Sequence, residues 1–231
     1  MKVQRLRVTF GRGEEIKYIT HLDLMRFWER ALRRAGLPVA YSEGFSPHAQ
    51  LALAAPLPVG TTGDAELMDV FLAERIAPKT FIEEASKQLP AAMTIISVEE
   101  TGMALPALQA DVRFAEYEVG LAPGASADDA RAAVDAFLAA ETFPWEHKRD
   151  DEVRSYDIRA QVESIDVAQQ ADGPVRLLMR LKNDNTGSGR PEQVVAALGL
   201  GTPVRIHRTK LVLAGTSPSR EAWRKSGRFA G

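Results

Sequence analysis

The order of strand-like and helix-like patterns constrains the fold of this chain more than any other feature. Residues 2–10 alternate polar and apolar side chains, which indicates a strand with one buried face. A helical pattern over residues 18–35 follows, then strand patterns ending at residue 72, a second helical pattern at 78–88 and a strand pattern at 93–99. This β-α-β-β-α-β order is typical of a ferredoxin-like sandwich, in which two helices cover one face of a four-stranded antiparallel sheet.

The same order of patterns begins again after a proline-containing segment at residues 101–109. Strand patterns at 112–121, 143–148, 154–168, 175–181 and 204–214 enclose helical patterns at 127–140 and 191–198. We therefore predict an α+β fold of two tandem ferredoxin-like (βαββαβ) sandwiches with antiparallel sheets. The predicted domains are residues 1–101, which carry the motifs HLDLMR and SEGFSPH, and residues 110–216, followed by a basic tail at 217–231. A single domain with one long sheet is the alternative.

Composition excludes several classes of protein. The 231 residues are 45% hydrophobic and 26% charged, as in a globular protein with an ordinary core. The chain has no cysteine, which excludes a thiolate nucleophile and cysteine-held zinc or iron–sulfur clusters, and suits a reducing cytoplasm. No apolar run approaches the roughly 20 residues of a membrane span. The motifs GxGxxG, GxxxxGK[ST], GxSxG and HExxH are absent, so we expect a cytoplasmic protein with no cofactor, metal site or membrane contact.

Charge is distributed unevenly along the chain. Residues 1–50 carry nine Lys and Arg against five Asp and Glu, and residues 201–231 carry seven against one. The 150 residues between them carry thirteen against twenty-five, although the net charge of the chain is only −2. If the two ends meet in space, they form a basic face suited to a nucleic acid. Solvated charge without a partner is the alternative.

The helical segment at residues 18–36 carries a row of arginines. Thr20 is its predicted N-cap and Gly36 its predicted stop, while an apolar stripe on one face is expected to pack on the sheet. The row is formed by Arg26, Arg30, Arg33 and Arg34. Like charges at these spacings repel unless anions neutralise them, so phosphate contact is our interpretation. A solvated face with Asp23–Arg26 and Glu29–Arg33 pairs is the alternative.

The loop motif SEGFSPH, residues 42–48, lies between glycines and prolines that stiffen its backbone. We expect Ser42, Phe45 and His48 to line a pocket beside the arginine row. Phe45 could stack on a base, but anchoring in the core is the favoured role. Further RNA contacts are predicted for Arg159, Arg190 and Arg208, and the tail mixes arginines with aromatic residues, which is typical either of a frayed end or of an arm that orders on RNA.

Two of the four histidines suggest an enzymatic alternative. His21 begins the long helical segment and His48 lies in the SEGFSPH loop. If the two rings flank a phosphate, with Tyr18 or Ser42 nearby, they could act as acid and base in a metal-independent endoribonuclease. A protein–protein adaptor that never contacts RNA is a third hypothesis.

Residues 17–60, KYITHLDLMRFWERALRRAGLPVAYSEGFSPHAQLALAAPLPVG, resemble the signature of the radical-SAM-linked protein family, domain of unknown function 2344. Weaker similarity covers AELMDVFL, YDIR and the Arg190–Pro191 step; Ala160 stands where the family has a proline. Members are fused to or encoded with B12-binding radical SAM proteins, often near genes for ribonuclease E/G and ribosomal proteins. The resemblance thus implies a role beside RNA chemistry, and it supplies no catalytic residue.

Charge, motif and resemblance together favour a non-catalytic accessory protein. We expect an RNA-binding module that presents structured RNA, tRNA or rRNA, to a B12-binding radical SAM enzyme that modifies RNA. The chain lacks the CxxxCxxC cluster motif and cannot be that enzyme itself. The RNA species and the oligomeric state are left open by the sequence.

Overall fold

The elements of the first half follow the predicted order in the computed structural model, which describes residues 1–149, 152–169 and 173–215. They are β1 (Gln4–Arg12), α1 (His21–Arg34), β2 (Leu51–Leu53), β3 (Thr62–Leu72), α2 (Pro78–Ser86) and β4 (Met93–Thr101). The four strands lie in the order β4-β1-β3-β2, and all three pairings are antiparallel. Alternate residues of β1, namely Leu6, Val8 and Phe10, are buried in the core, where Phe10 meets Trp28 of α1 edge-to-face at 5.1 Å.

The second half repeats this arrangement with different residues. Its elements are α3 (Leu108–Asp111), β5 (Val112–Gly120), α4 (Ala127–Ala139), β6 (Pro144–Arg149), β7 (Glu152–Asp157), β8 (Val162–Ala168), β9 (Arg176–Asp184), β10 (Gly187–Ser188), α5 (Pro191–Ala197) and β11 (Arg205–Leu213). Strands β11-β5-β9-β8 pair antiparallel in that order, and β10 adds a short rung to β9. The hairpin β6–β7 forms a separate two-stranded sheet. The mixed α/β class with a mainly antiparallel sheet is thus confirmed.

The two halves share one sheet, which corrects the prediction of separate, purely antiparallel sheets. The start of β11 pairs in parallel with the start of β3, through His207 opposite Thr62 and Arg208 opposite Gly63, and nine strands become continuous. This pairing is possible because β2 covers β3 only at residues 68–70, which leaves the first residues of β3 open on that edge. We call this parallel pairing the seam.

A buried ion pair crosses the seam. Arg208 is 1% exposed, and its Nε donates to Oε1 of Glu66 at 2.9 Å. Its Nη2 donates to the other carboxylate oxygen of Glu66 and, at 2.8 Å, to the carbonyl of Ala55. Burial alone lowers the pKa of Arg208, but the charge of Glu66 and these hydrogen bonds outweigh it, so the pKa is raised. A Cβ atom on residue 63 would lie only 2.6 Å from Oε1 of Glu66, so the close approach of this carboxylate requires Gly63.

A second buried arginine fastens the segment between the halves. Arg5 of β1 donates from Nε to Asp69 of β3 at 2.8 Å, and its remaining donors reach the carbonyls of Leu105 and Pro106 at 2.9 and 2.8 Å. The segment predicted to be a linker is therefore held against the first half. The predicted domain boundaries at residues 101 and 110 stay predictions.

Local predictions differ from the structure at few places. Residues 37–41 form only isolated bridges, Val39 to Leu72 and Tyr41 to Ala49, where the sequence predicts a short strand. The basic tail at 217–231 lies outside the described residues. Within the described ranges, no helix is long and apolar enough to cross a membrane.

Replacing one partner of the seam ion pair should destabilise the protein strongly. We expect Glu66→Gln to lower the free energy of unfolding by about 3–5 kcal/mol, because it leaves the Arg208 guanidinium buried without its counter-charge. Glu83→Gln, which removes an exposed carboxylate on α2, is the control and should change it by less than about 0.5 kcal/mol. Urea denaturation measures both, and equal effects would show that the seam pair is not critical.

Candidate nucleic-acid interface

Helix α1 presents the arginine row because its N-terminus and its inner face are both fixed. The hydroxyl oxygen of Thr20 accepts a hydrogen bond from the Asp23 amide at 3.2 Å, and the hydroxyl donates to the Asp23 carboxylate at 2.8 Å. The predicted N-cap is therefore confirmed. The inner face buries Leu24, Trp28 and Leu32 against the sheet. Helix rotation is thereby set, and the arginines face outwards.

Arg12, which the sequence analysis did not select, holds the segment that leads into α1. Its guanidinium is buried and donates from Nη2 to the carbonyls of Lys17 and Ile19, each at 2.8 Å, and from Nε to Ile16 at 3.3 Å. Burial lowers the pKa of Arg12, although the nearby carboxylate of Glu66 partly opposes this. One internal cation thus organises the approach to the helix.

All four arginines of the predicted row are exposed. Arg26 lies 3.7 Å from Asp23, at the long end of the range for an ion pair, and the pair predicted between Glu29 and Arg33 is not among those formed by the described residues. Arg33 and Arg34 lie in the last turn, where the helix dipole also favours positive charge. The row therefore presents guanidinium groups that solvent and an anion can reach.

The SEGFSPH loop is closed by its own polar groups. The Ser42 amide donates to the carbonyl of His48 at 2.9 Å, and the His48 amide donates to the Ser42 hydroxyl at 3.0 Å. Gly44 adopts a φ of 118°, which favours glycine. Phe45 is fully exposed between these ends. The prediction that Phe45 anchors the loop in the core is therefore wrong, because the closed loop carries its ring into solvent.

Two of the three second-half arginines predicted to bind RNA have internal partners instead. Arg208 is buried in the seam, where Glu66 and Ala55 use its donors. Arg159 is half-buried and donates to the carbonyls of Val162 at 2.8 Å and Leu138 at 3.4 Å. The Arg208 contact is corrected, since its guanidinium is buried, whereas the Arg159 contact stays a prediction. Arg190, the residue preceding α5, is exposed and stays a predicted contact.

The histidines predicted as a catalytic pair are both exposed. Among the described residues, no hydrogen bond or salt bridge joins His21 to His48, so the endoribonuclease stays a prediction. The described residues also contain no group of three or more His, Asp or Glu side chains that could hold a metal ion.

A different histidine, His207, lies in the seam beside a cavity. Its Nδ1 is 2.7 Å from the Thr62 hydroxyl oxygen, and its Nε2 is 3.0 Å from Oδ2 of Asp64. The cavity has a volume of about 430 Å³ and is lined by both halves, including Gly11, Gly13, Asp64, Ile96 and Arg205. No local sequence pattern reveals this site, because Thr62 and His207 are 145 residues apart.

The chain belongs to the family described as "Uncharacterized protein conserved in bacteria (DUF2344)", whose model matches residues 5–191. The match contains α1, the SEGFSPH loop and most of both halves. The comparison with curated proteins gives no match.

Three solved structures are similar in overall chain path. The first is a Cbf5-Nop10-Gar1 complex, with a TM-score of 0.47 and 11% identity, where the match covers 91% of this chain and 49% of the other. The second is an archaeal box H/ACA sRNP Nop10-Cbf5 complex, with a TM-score of 0.44, 13% identity and coverage of 91% and 48%. The third is an H/ACA RNP bound to a substrate RNA containing 2'-deoxyuridine, with a TM-score of 0.43, 12% identity and coverage of 90% and 47%. The chain spans about half the length of the chains it matches. Similarity at this level establishes no shared function.

The exposure of Phe45 can be tested by stability measurements. We expect Phe45→Ala to change the free energy of unfolding by less than about 0.5 kcal/mol, because the ring is in solvent. Phe10→Ala, which opens a cavity against Trp28, should cost about 3–5 kcal/mol. A large cost for Phe45→Ala in the same thermal or urea assay would restore the core-anchor role.

Proposed function

We propose that this protein binds structured RNA, tRNA or rRNA, and presents it to a B12-binding radical SAM enzyme that modifies RNA. The observation that carries the proposal is the row of exposed arginines on α1. Their guanidinium groups follow one another at i, i+4, i+7 and i+8 along one helix, which is itself held in place by Thr20 and Arg12. Such a row repels itself by a few tenths of a kcal/mol per pair unless anions neutralise it. An RNA backbone supplies anions at regular spacing.

The SEGFSPH loop supplies the second part of the proposed interface. Only residues 35–41 separate it from the arginine row along the chain. A fully exposed phenylalanine on a closed loop can stack on an unpaired base of the RNA. Such stacking tolerates any of the four bases, because each has an aromatic face. Ser42 and His48, which the loop closure brings together, provide polar groups beside that ring. Phosphate contacts would thus position the RNA, and Phe45 would engage a base.

The strand orders support our interpretation of each half as a ferredoxin-like unit. In both halves the first and third strands lie in the centre, and the order is fourth, first, third, second. We interpret residues 1–101 and 110–216 as two such units whose sheets are joined at the seam.

The radical SAM partner in this proposal rests on the family resemblance of residues 17–60. Because this chain has no cysteine, an iron–sulfur cluster has to be held by another polypeptide or domain. The chain would then act as the part that holds RNA, without catalysing the reaction.

RNA binding can be tested by fluorescence anisotropy with labelled bulk tRNA and rRNA fragments at several salt concentrations. We expect micromolar affinity or better, with a steep loss as salt rises, because phosphate contacts release counterions. Arg30→Glu with Arg34→Glu should weaken binding by roughly tenfold or more and should reduce the salt slope by about two. Lys79→Glu in α2 with Lys87→Glu, the residue that follows α2, is the matched control, since it makes the same charge change on exposed residues.

The outcomes separate the hypotheses. Unchanged affinity in the folded α1 double variant would refute the assignment of the arginine row. An equal loss in both double variants would show that only net charge matters. If no RNA binds at low salt, the basic face docks on an acidic protein surface, and the adaptor becomes the better description.

A further inference from the structure

We propose that the seam cavity binds a guanine base, with Asp64 as the group that recognises it. The inference deepens the proposed function and rests on it, because the base is assigned to the bound RNA. Asp64 and Gly11 come from the first half, whereas Arg205 and His207 come from the second. A ligand in this cavity would therefore contact both halves at once.

Asp64 is held in position by a hydrogen-bonded chain that begins in the protein interior. Thr62 and His207 are both buried, and the Thr62 hydroxyl oxygen lies 2.7 Å from Nδ1 of His207. When the hydroxyl donates to Nδ1, the ring proton lies on Nε2, which faces Oδ2 of Asp64 at 3.0 Å. His207 thus contacts one oxygen of the Asp64 carboxylate and leaves the other without this contact.

The exposure of Asp64 distinguishes it from a structural partner of His207. Its side chain is 71% exposed, although the imidazole that it contacts is buried. A carboxylate offers about four lone-pair positions on two oxygens, and His207 uses one of them. Asp64 also lines the cavity, so its remaining acceptor positions can serve a ligand there, and His207 makes it a preorganised acceptor.

The size and the lining of the cavity are compatible with a purine ring. Its volume of about 430 Å³ lies within the range of small-molecule sites. Gly11, Gly13, Ala91 and Ala92 line the cavity with small side chains or none, and the half-exposed side chain of Ile96 adds an apolar group to the lining. An apolar pocket wall beside a few fixed polar groups is the usual construction of a base-binding site.

Guanine matches this acceptor better than the other bases. Its N1–H and N2–H2 groups are adjacent donors, which can make two parallel hydrogen bonds to one carboxylate. Adenine and cytosine place an acceptor nitrogen beside their amino group, and uracil flanks its single N–H with two carbonyls, so each of them opposes the carboxylate with a lone pair. The chemistry therefore selects guanine by attraction and by repulsion.

Charged side chains of both signs line or adjoin the cavity, where the phosphates next to a bound guanine would lie. Glu14 is paired with Lys17 at 2.6 Å, and that hydrogen bond lowers the pKa of Glu14. Arg205 is a half-exposed cation on the lining, 3.4 Å from Glu118. Glu15 also lines the cavity, and it is the carboxylate that a phosphate has to avoid.

An NMR titration with free nucleosides tests the proposal on the intact protein. We expect guanosine to shift the amide signals of residues 11–15, 62–64 and 205–207, and adenosine, cytidine and uridine to leave them unchanged. Inosine lacks the N2 amino group and should bind roughly tenfold more weakly, because one of the two hydrogen bonds is lost. Asp64→Asn should weaken guanosine binding by tenfold or more. The melting temperature of this variant should equal that of the wild-type protein. Asp128→Asn, which alters an exposed carboxylate of α4, is the control and should bind guanosine normally.

The inference is overturned if guanosine at millimolar concentration shifts none of these signals, if all nucleosides bind alike, or if Asp64→Asn binds guanosine as the wild type does.

The Asp64→Asn variant also identifies the source of the base. If Asp64→Asn lowers the affinity for a guanine-containing oligonucleotide, and lowers it less when inosine replaces guanine, an RNA base occupies the cavity. Guanosine binding without that loss would assign the cavity to a free guanine nucleotide and overturn the RNA assignment. Anisotropy with bulk tRNA reports on the arginine row separately, so failure of this inference and failure of the proposed function are distinguishable.

Discussion

The ion pair between Arg208 and Glu66 is the interaction on which the joined architecture depends. It is buried where β11 meets β3, and it spans 142 residues of sequence. Burying a lone charge there would cost several kcal/mol, so neither residue is stable in that position without the other. Each charge therefore depends on the parallel contact that brings its partner to it, and the same contact places Arg205 and His207 in the cavity beside Asp64.

Arginines have two different roles in this molecule, and burial decides between them. Arg5, Arg12 and Arg208 point inwards and satisfy carbonyls and carboxylates that would otherwise lack donors. The arginines of α1 lie on the outer face of a helix whose inner face is apolar, so they face solvent. Charge counts along the sequence do not separate these roles. The basic ends of the chain contain both kinds, and part of their charge is used for folding.

The two candidate sites differ in how they are built. The α1 row and the SEGFSPH loop lie close together in sequence, and each is organised by short-range hydrogen bonds such as those of Thr20 and Ser42. The seam cavity combines residues from β1, β3, β4 and β11. A local site can move with its own segment, whereas the cavity is coupled to the relative placement of the two halves. RNA held at both sites would stabilise that placement.

Local sequence patterns were sufficient to predict the helices, most strands and the cap at Thr20, because periodicity and capping depend on residues a few positions apart. They also predicted the exposed arginine row, since the apolar stripe on the opposite face of α1 sets the rotation of the helix. The assembled fold was needed to show that β11 pairs with β3, that Arg208 is buried, that Phe45 is in solvent and that His207 meets Asp64. Those outcomes depend on which strand edges remain open and on which charges find partners across more than a hundred residues. Such pairings are settled by burial in the assembled sheet, and no local pattern carries that information.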